Sequence, residues 1–140
     1  MSAPALTDEE VARLREVFTQ VPFVRTLGAE FVSAERGAAA FALDVREGLT
    51  RMGGILHGGA VFSLLDTAAA CAVHTIIGEA GRTVTVDFTI HFLRPFGSGR
   101  LHARARVLRA GRRIVFLSAE ATDPAGVLIA TATTTYAVLS

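Results

Sequence analysis

Apolar residues recur along the chain with two different periods, and the change of period marks out its elements. Val11, Leu14, Val17 and Phe18 share one face at helical spacing, so residues 6–20 predict a helix. Thr7 can cap it and Glu10 stands three residues on, as in a capping box, while Pro22 predicts its end. Two short β-prone stretches follow at 29–33 and 38–45, with Glu35, Arg36 and Gly37 between them as a hairpin turn. From Ala60 to Ile77 the residues are good helix formers or apolar on almost every side, and Gly78 stands beyond them as a stop. A helix that is apolar all round predicts burial all round.

After residue 81 the period becomes two. Val84, Val86, Phe88, Ile90 and Phe92 predict one face of a long strand, and Thr83, Thr85, Asp87, Thr89 and His91 predict the other. Three further strands are expected at 101–109, 113–122 and 127–138, joined by turns at Ala110-Gly111 and at Asp123-Pro124-Ala125-Gly126. Hairpin connections make the sheet antiparallel. The order is a helix, two strands, an apolar helix and four strands, which is α+β. A long antiparallel sheet wrapped around one central buried helix satisfies both the all-round helix and the one-sided strands. No linker or repeat interrupts the chain, so residues 1–140 are expected to form one domain, with 1–22 as N-terminal helix and lead-in. The strand-glycine-helix fingerprint of dinucleotide and P-loop folds is missing.

Composition adds an expectation of assembly. Of 140 residues, 51% are hydrophobic and 19% charged, with a mean hydropathy of +0.44. That excludes disorder and leaves more apolar surface than a short monomer readily covers, so a homo-oligomer is expected. Residues 60–77 could by length also span a bilayer, but Asp66 in their middle makes a membrane helix costly. The formal charge of +1 gives no global case for nucleic acid or membrane binding. The lone Cys71 excludes an intrachain disulfide framework and makes a cytoplasmic address the default. Met1–Glu10, acidic and without an apolar core, does not read as a signal peptide. His57, His74, His91 and His102 lack a short ligand spacing, so neither a metal nor another cofactor is expected.

The chemistry concentrates between Gly53 and Ala68. Gly58 and Gly59 at a helix start leave backbone N–H groups unobstructed at its positive end, the makings of an oxyanion hole. Close packing of helix on sheet would also explain them. Asp66 is an acid among Phe62, Leu65, Ala69 and Ala70. It is either a hydrogen-bonded carboxylate that fixes packing or a general base or nucleophile. His57 is either a helix-start residue or a partner in the chemistry. Nine helical steps turn through about 900° and advance about 13 Å, which sets Asp66 on the face opposite His57. A site containing both therefore needs a second subunit.

His57-Gly58-Gly59, then Leu64-Leu65-Asp66-Thr67-Ala68, Val84-Thr85-Val86-Asp87-Phe88 and Phe92-Leu93-Arg94-Pro95 together resemble the hotdog-fold acyl-CoA thioesterases of the phenylacetate-degradation (PaaI-like) type. The resemblance runs from about Gly28 to the C-terminus. It implies dimers with a continuous sheet, commonly paired into tetramers, and hydrolysis of an acyl-CoA to free acid and CoA at the dimer interface. By the same resemblance Asp66 activates water or attacks the thioester, the Gly58 N–H holds the carbonyl, His57 helps to hold the thioester, and Thr85 stands near the attacking water. Relatives often carry Asn or Gln six residues before the histidine; here that residue is Arg51, so either Arg51 donates instead or fewer groups hold the carbonyl. All fourteen basic residues are arginine, and six of them crowd after residue 99. They are either a solvated sheet face or, with Arg94, Arg112 and Arg113 as candidates, a reader of CoA phosphates. A non-catalytic acyl-CoA-binding protein and a hotdog dehydratase or hydratase are the rival functions.

Overall fold

Thr7 and Glu10 close the expected capping box. The Thr7 N–H donates to Glu10 Oε1 at 3.0 Å and the Glu10 N–H donates to Thr7 Oγ1 at 3.1 Å, and α1 runs Asp8–Thr19. The structure is a computed structural model that describes residues 4–139; Met1–Ala3 and Ser140 of the expected 1–140 domain, and with them the start of the expected non-signal segment, lie outside the described residues. Pro22 does not merely follow a helix end. It opens a second one, α2 (Pro22–Leu27), at a position where its missing N–H carries no penalty. Arg46 caps the far end of α2, donating to the carbonyls of Leu27 and Thr26.

Strands β1 (Glu30–Glu35) and β2 (Ala38–Asp44) form the first hairpin, and α3 (Gly58–Ile77) follows. Then come β3 (Thr83–Phe92), β4 (Arg100–Ala110), β5 (Ile114–Thr122) and β6 (Leu128–Val138). All six strands form one antiparallel sheet in the order β1-β2-β4-β5-β6-β3. The inward positions of the central strands are rich in alanine, among them Ala39, Ala103, Ala105, Ala119 and Ala132, all buried. Small residues there let α3 seat closely on the sheet.

Helix α3 is long and apolar enough to cross a membrane, but it is the core of this fold: Leu64, Leu65, Ala68, Ala69, Ala72 and Val73 have no exposed surface. The all-round burial that the sequence pattern predicts is not complete. Ser63, Asp66, Ala70 and His74 keep a half-buried stripe along one side.

The strict alternation expected for β3 also fails, for an identifiable reason. Thr85 pairs with Tyr136 and Asp87 with Thr135, so Val86 is an extra residue without a partner, a β-bulge. Thr83 and Thr85 are half-buried before the bulge, with Val84 and Val86 exposed, whereas Phe88 and Ile90 are half-buried after it. The bulge thus lets Thr85 and Phe88 both meet α3: Thr85 reaches Asp66, and the Phe88 ring stacks edge-on against Phe62 at 4.7 Å. Strand β3 also ends the sheet on its side, so its outer edge lacks a strand partner within the chain.

Candidate active site

Of the two unobstructed glycine donors that the sequence predicts at the start of α3, Gly59 is already engaged. His57 is the N-cap, and its ring Nδ1 accepts the Gly59 N–H at 2.7 Å. In the neutral ring the proton must then sit on Nε2, which leaves that nitrogen as a donor. The loop leading in is tied down by the Leu56 N–H donating to the Phe96 carbonyl and the His57 N–H donating to the Leu49 carbonyl, each at 2.8 Å. The Gly58 N–H, first of the helix, finds no acceptor among the described residues. A Cβ on Gly58 would lie 3.2 Å from the Phe92 ring, so glycine is what lets that ring cover the helix start.

Two clefts flank this terminus. One, of about 370 Å³, is lined by Arg51, Gly58, Phe92, Arg94 and Ile129 among others. The second, of about 310 Å³, lies between α2 and α3 and is lined by Phe23, Leu27, His57, Gly59 and Ser63. Gly58 and Gly59 therefore face different spaces.

Asp66 lines neither cleft. Eight residues beyond Gly58, about 12 Å along the axis, it faces β3 and β6. The Thr85 hydroxyl donates to Asp66 Oδ1 at 3.0 Å. The Tyr136 hydroxyl reaches the same Oδ1 at 2.5 Å and the Asp66 main-chain oxygen at 2.9 Å. Burial, reinforced by the Asp66 charge, pushes the Tyr136 phenol above its ordinary ionisation range, so it remains a donor. These two hydroxyls offset the cost of an acid on an apolar helix. Among the described residues Oδ2 receives no hydrogen bond.

Of the residues singled out from sequence, the structure joins Asp66 with Thr85 and joins His57 with Gly59, but leaves the two pairs apart. Arg51 and Arg94 meet at the larger cleft. Arg94 also donates to the Leu128 carbonyl at 2.7 Å. Arg112 and Arg113 sit in the β4–β5 turn, at the end of the sheet where β6 finishes and β3 begins, whereas Arg94 follows the end of β3. One chain does not bring these three arginines together. Others in the basic run are committed to the sheet face: Arg100 pairs with Glu30 and Asp44, and Arg104 with Glu35. Tyr136 escapes a reading of the sequence. The available signal is that it is the only tyrosine in the chain, on a strand whose other inward residues are Ala130, Ala132 and Thr134.

This arrangement, an apolar helix wrapped by an antiparallel sheet with free donors at its start and an acid at its middle, is the hotdog fold of a thioester hydrolase. The chain belongs to the Thioesterase superfamily, whose sequence profile matches residues 53–130. That segment contains His57, Gly58, Asp66 and Thr85 and excludes Arg51 and Tyr136. The SSO1253 protein of Saccharolobus solfataricus is 36% identical over 128 residues, which cover 91% of this chain and 85% of that one. The medium/long-chain acyl-CoA thioesterase YigI of Salmonella typhimurium is 30% identical over 154 residues, 99% of each chain. The structure of E. coli PaaI, from the phenylacetic acid degradation operon, superposes with a TM-score of 0.82 at 25% identity, covering 89% of each chain.

Proposed function

We propose that the chain hydrolyses acyl-CoA thioesters to the free acid and CoA, at a site shared by two copies. The observation that carries this reading is the position of Asp66. Its carboxylate is hydrogen-bonded by Thr85, a residue of the edge strand. It therefore lies at the open margin of the sheet, where exposed Val84 and Val86 present an apolar edge. A second copy pairing there, dimers then pairing as tetramers, would carry its acid toward the first copy's Gly58.

In such a site the Gly58 N–H, aided by the helix dipole, stabilises the oxyanion formed when the thioester carbonyl is attacked. His57 Nε2–H orients the substrate, Gly59 serves by holding the His57 ring through its N–H, and Arg51 stands where it can donate to the carbonyl. The partner subunit's Asp66 either takes a proton from water as that water attacks the carbonyl carbon, or attacks with its own oxygen. Both routes use an oxygen free of other hydrogen bonds, as Oδ2 is. The carbon–sulfur bond then breaks and CoA leaves as its thiolate, which takes up a proton; on the second route water then opens the acyl–Asp66 anhydride, releasing the acid and restoring the carboxylate. Thioesters are reactive acyl donors, so these groups suffice without a metal. Arg94, Arg112 and Arg113 are the proposed contacts to the CoA phosphates.

The test is CoA release from a panel of short, medium, long and aryl acyl-CoAs, with the chain lengths in the name of YigI tried first. Saturable turnover of at least one class is expected. Binding without release would overturn the reading in favour of an acyl-CoA-binding protein, and hydration of an enoyl-CoA without release in favour of a hydratase.

A further inference from the structure

We infer that Tyr136 is a positioning residue for Asp66, fixing the orientation of its carboxylate so that one oxygen is held and the other is presented for reaction. The inference rests on the reading of Asp66 as the reacting acid and concerns a residue outside the matched family segment.

The phenolic hydroxyl has a single proton and lies within reach of two oxygens of one residue, the Asp66 main-chain oxygen at 2.9 Å and Oδ1 at 2.5 Å. The carboxylate is thereby tied to its own helix backbone. Thr85 adds its donor to the same oxygen. Turning the carboxylate plane out of this setting would break both contacts, so the pair selects one orientation of the group, and orientation is a direct lever on rate.

The ring itself has little freedom. Tyr136 is 2% exposed and sits in β6 with a strand on either side, opposite Val115 of β5 and Thr85 of β3. A phenylalanine would fill the same space, and a buried hydroxyl is unfavourable unless it is hydrogen-bonded. Here the hydroxyl meets the main-chain oxygen and Oδ1 of Asp66 at hydrogen-bond distance, with the Thr85 hydroxyl beside it. Thr85 alone, on an edge strand next to a bulge, is the less rigid of the two supports.

The experiment compares wild type, Tyr136→Phe, Asp66→Asn and the double variant on one acyl-CoA substrate, with thermal melts of each. Tyr136→Phe should lower kcat by about 10-fold, as for a lost hydrogen bond to a charged group, with KM changed by less than about 2-fold. In the Asp66→Asn background the same substitution should have no further effect on the residual rate, because its influence passes through the carboxylate. Wild-type kcat in Tyr136→Phe, or an equal loss in both backgrounds, would overturn the inference while leaving Asp66 in its role. Near-wild-type kcat in Asp66→Asn would overturn the underlying reading as well. If Tyr136→Phe does not fold, the single tyrosine permits a second route. Replacing tyrosine by 3-fluorotyrosine and 3,5-difluorotyrosine alters donor strength at Tyr136 alone with nearly constant shape. A kcat that follows phenol acidity supports the inference, and an unchanged kcat in folded enzyme overturns it.

Discussion

Thr85 and Tyr136 are cross-strand partners in the β3–β6 ladder, and both hydroxyls converge on one oxygen of Asp66. Main-chain pairing of two strands therefore sets the geometry of a side chain on the helix beneath them. The register between β3 and β6 is as much a part of the site as the acid itself.

Asp66→Asn should fold and assemble but lose at least about 100-fold in kcat, the scale of a positioned acid-base or nucleophilic group. Gly58→Pro should likewise be inactive, since proline at the first helical position removes the N–H while remaining compatible with the helix. Its ring also crowds Phe92. When the two inactive proteins are mixed and their subunits exchanged, one of the two sites in each mixed dimer has both groups intact. Activity should return; exchanged heterodimers without activity would show that the site is not shared.

Replacing Arg112 or Arg113 by Ala should raise KM for an acyl-CoA with kcat nearly unchanged, because phosphate contacts bind ground and transition states alike. The effect should weaken as salt rises and vanish for a truncated thioester without the nucleotide. Arg94→Ala should add a small loss of stability, since its guanidinium also holds the Leu128 carbonyl. Unchanged KM in all three variants would return these arginines to a solvated surface.

Deleting Val86 removes the unpaired residue of the bulge and restores alternation. Thr85 and Phe88 could then no longer both face α3, and either the Asp66 hydrogen bond or the Phe62–Phe88 contact is lost. A melting temperature lower by about 5 °C is expected from losing an aromatic contact and some burial, together with reduced turnover. A deletion with wild-type melting and rate would show that the bulge has no such task.

Burial pushes the Cys71 thiol up to about 12 from an ordinary 9.0, and Tyr136 is displaced in the same direction. In the folded state both hold their protons at pH values where the unfolded chain gives them up. Their contribution to stability is complete below about pH 9 and is lost as pH climbs toward 12. Denaturant midpoints measured from pH 8 to 11 should fall steadily above 9, and Cys71 should resist thiol reagents at pH 8 until the protein is unfolded. A midpoint constant across that range would contradict the assignment.

What was legible in the sequence was local or periodic. The capping box at Thr7 and Glu10, the apolar helix ending before Gly78 and the three hairpin-linked strands after residue 99 all announce themselves within a few residues. Pro22 was ambiguous by nature, because proline follows helix ends and also begins helices. The bulge at Val86 carries no glycine or proline to mark it, and a single extra residue inverts the faces of everything on one side of it. Tyr136 is 70 residues from the acid it touches, and only the sheet order brings them together. The same holds for the arginines, whose separation to opposite ends of the sheet depends on pairings that no local pattern encodes.

That sheet order also sets a timetable for biosynthesis. Strand β3 is made before β4, β5 and β6, yet its partner within the chain is β6, the last strand to be made. Until that final segment emerges, the Asp66 carboxylate lacks one of its two hydroxyl donors and the strand that supplies the other is unpaired. The helix and the first hairpin can pack early through nearby contacts, whereas the active centre waits for the slow, long-range closure at the end of the chain. In the proposed shared site, completion of the sheet through β6 therefore precedes the pairing of two copies on which hydrolysis depends.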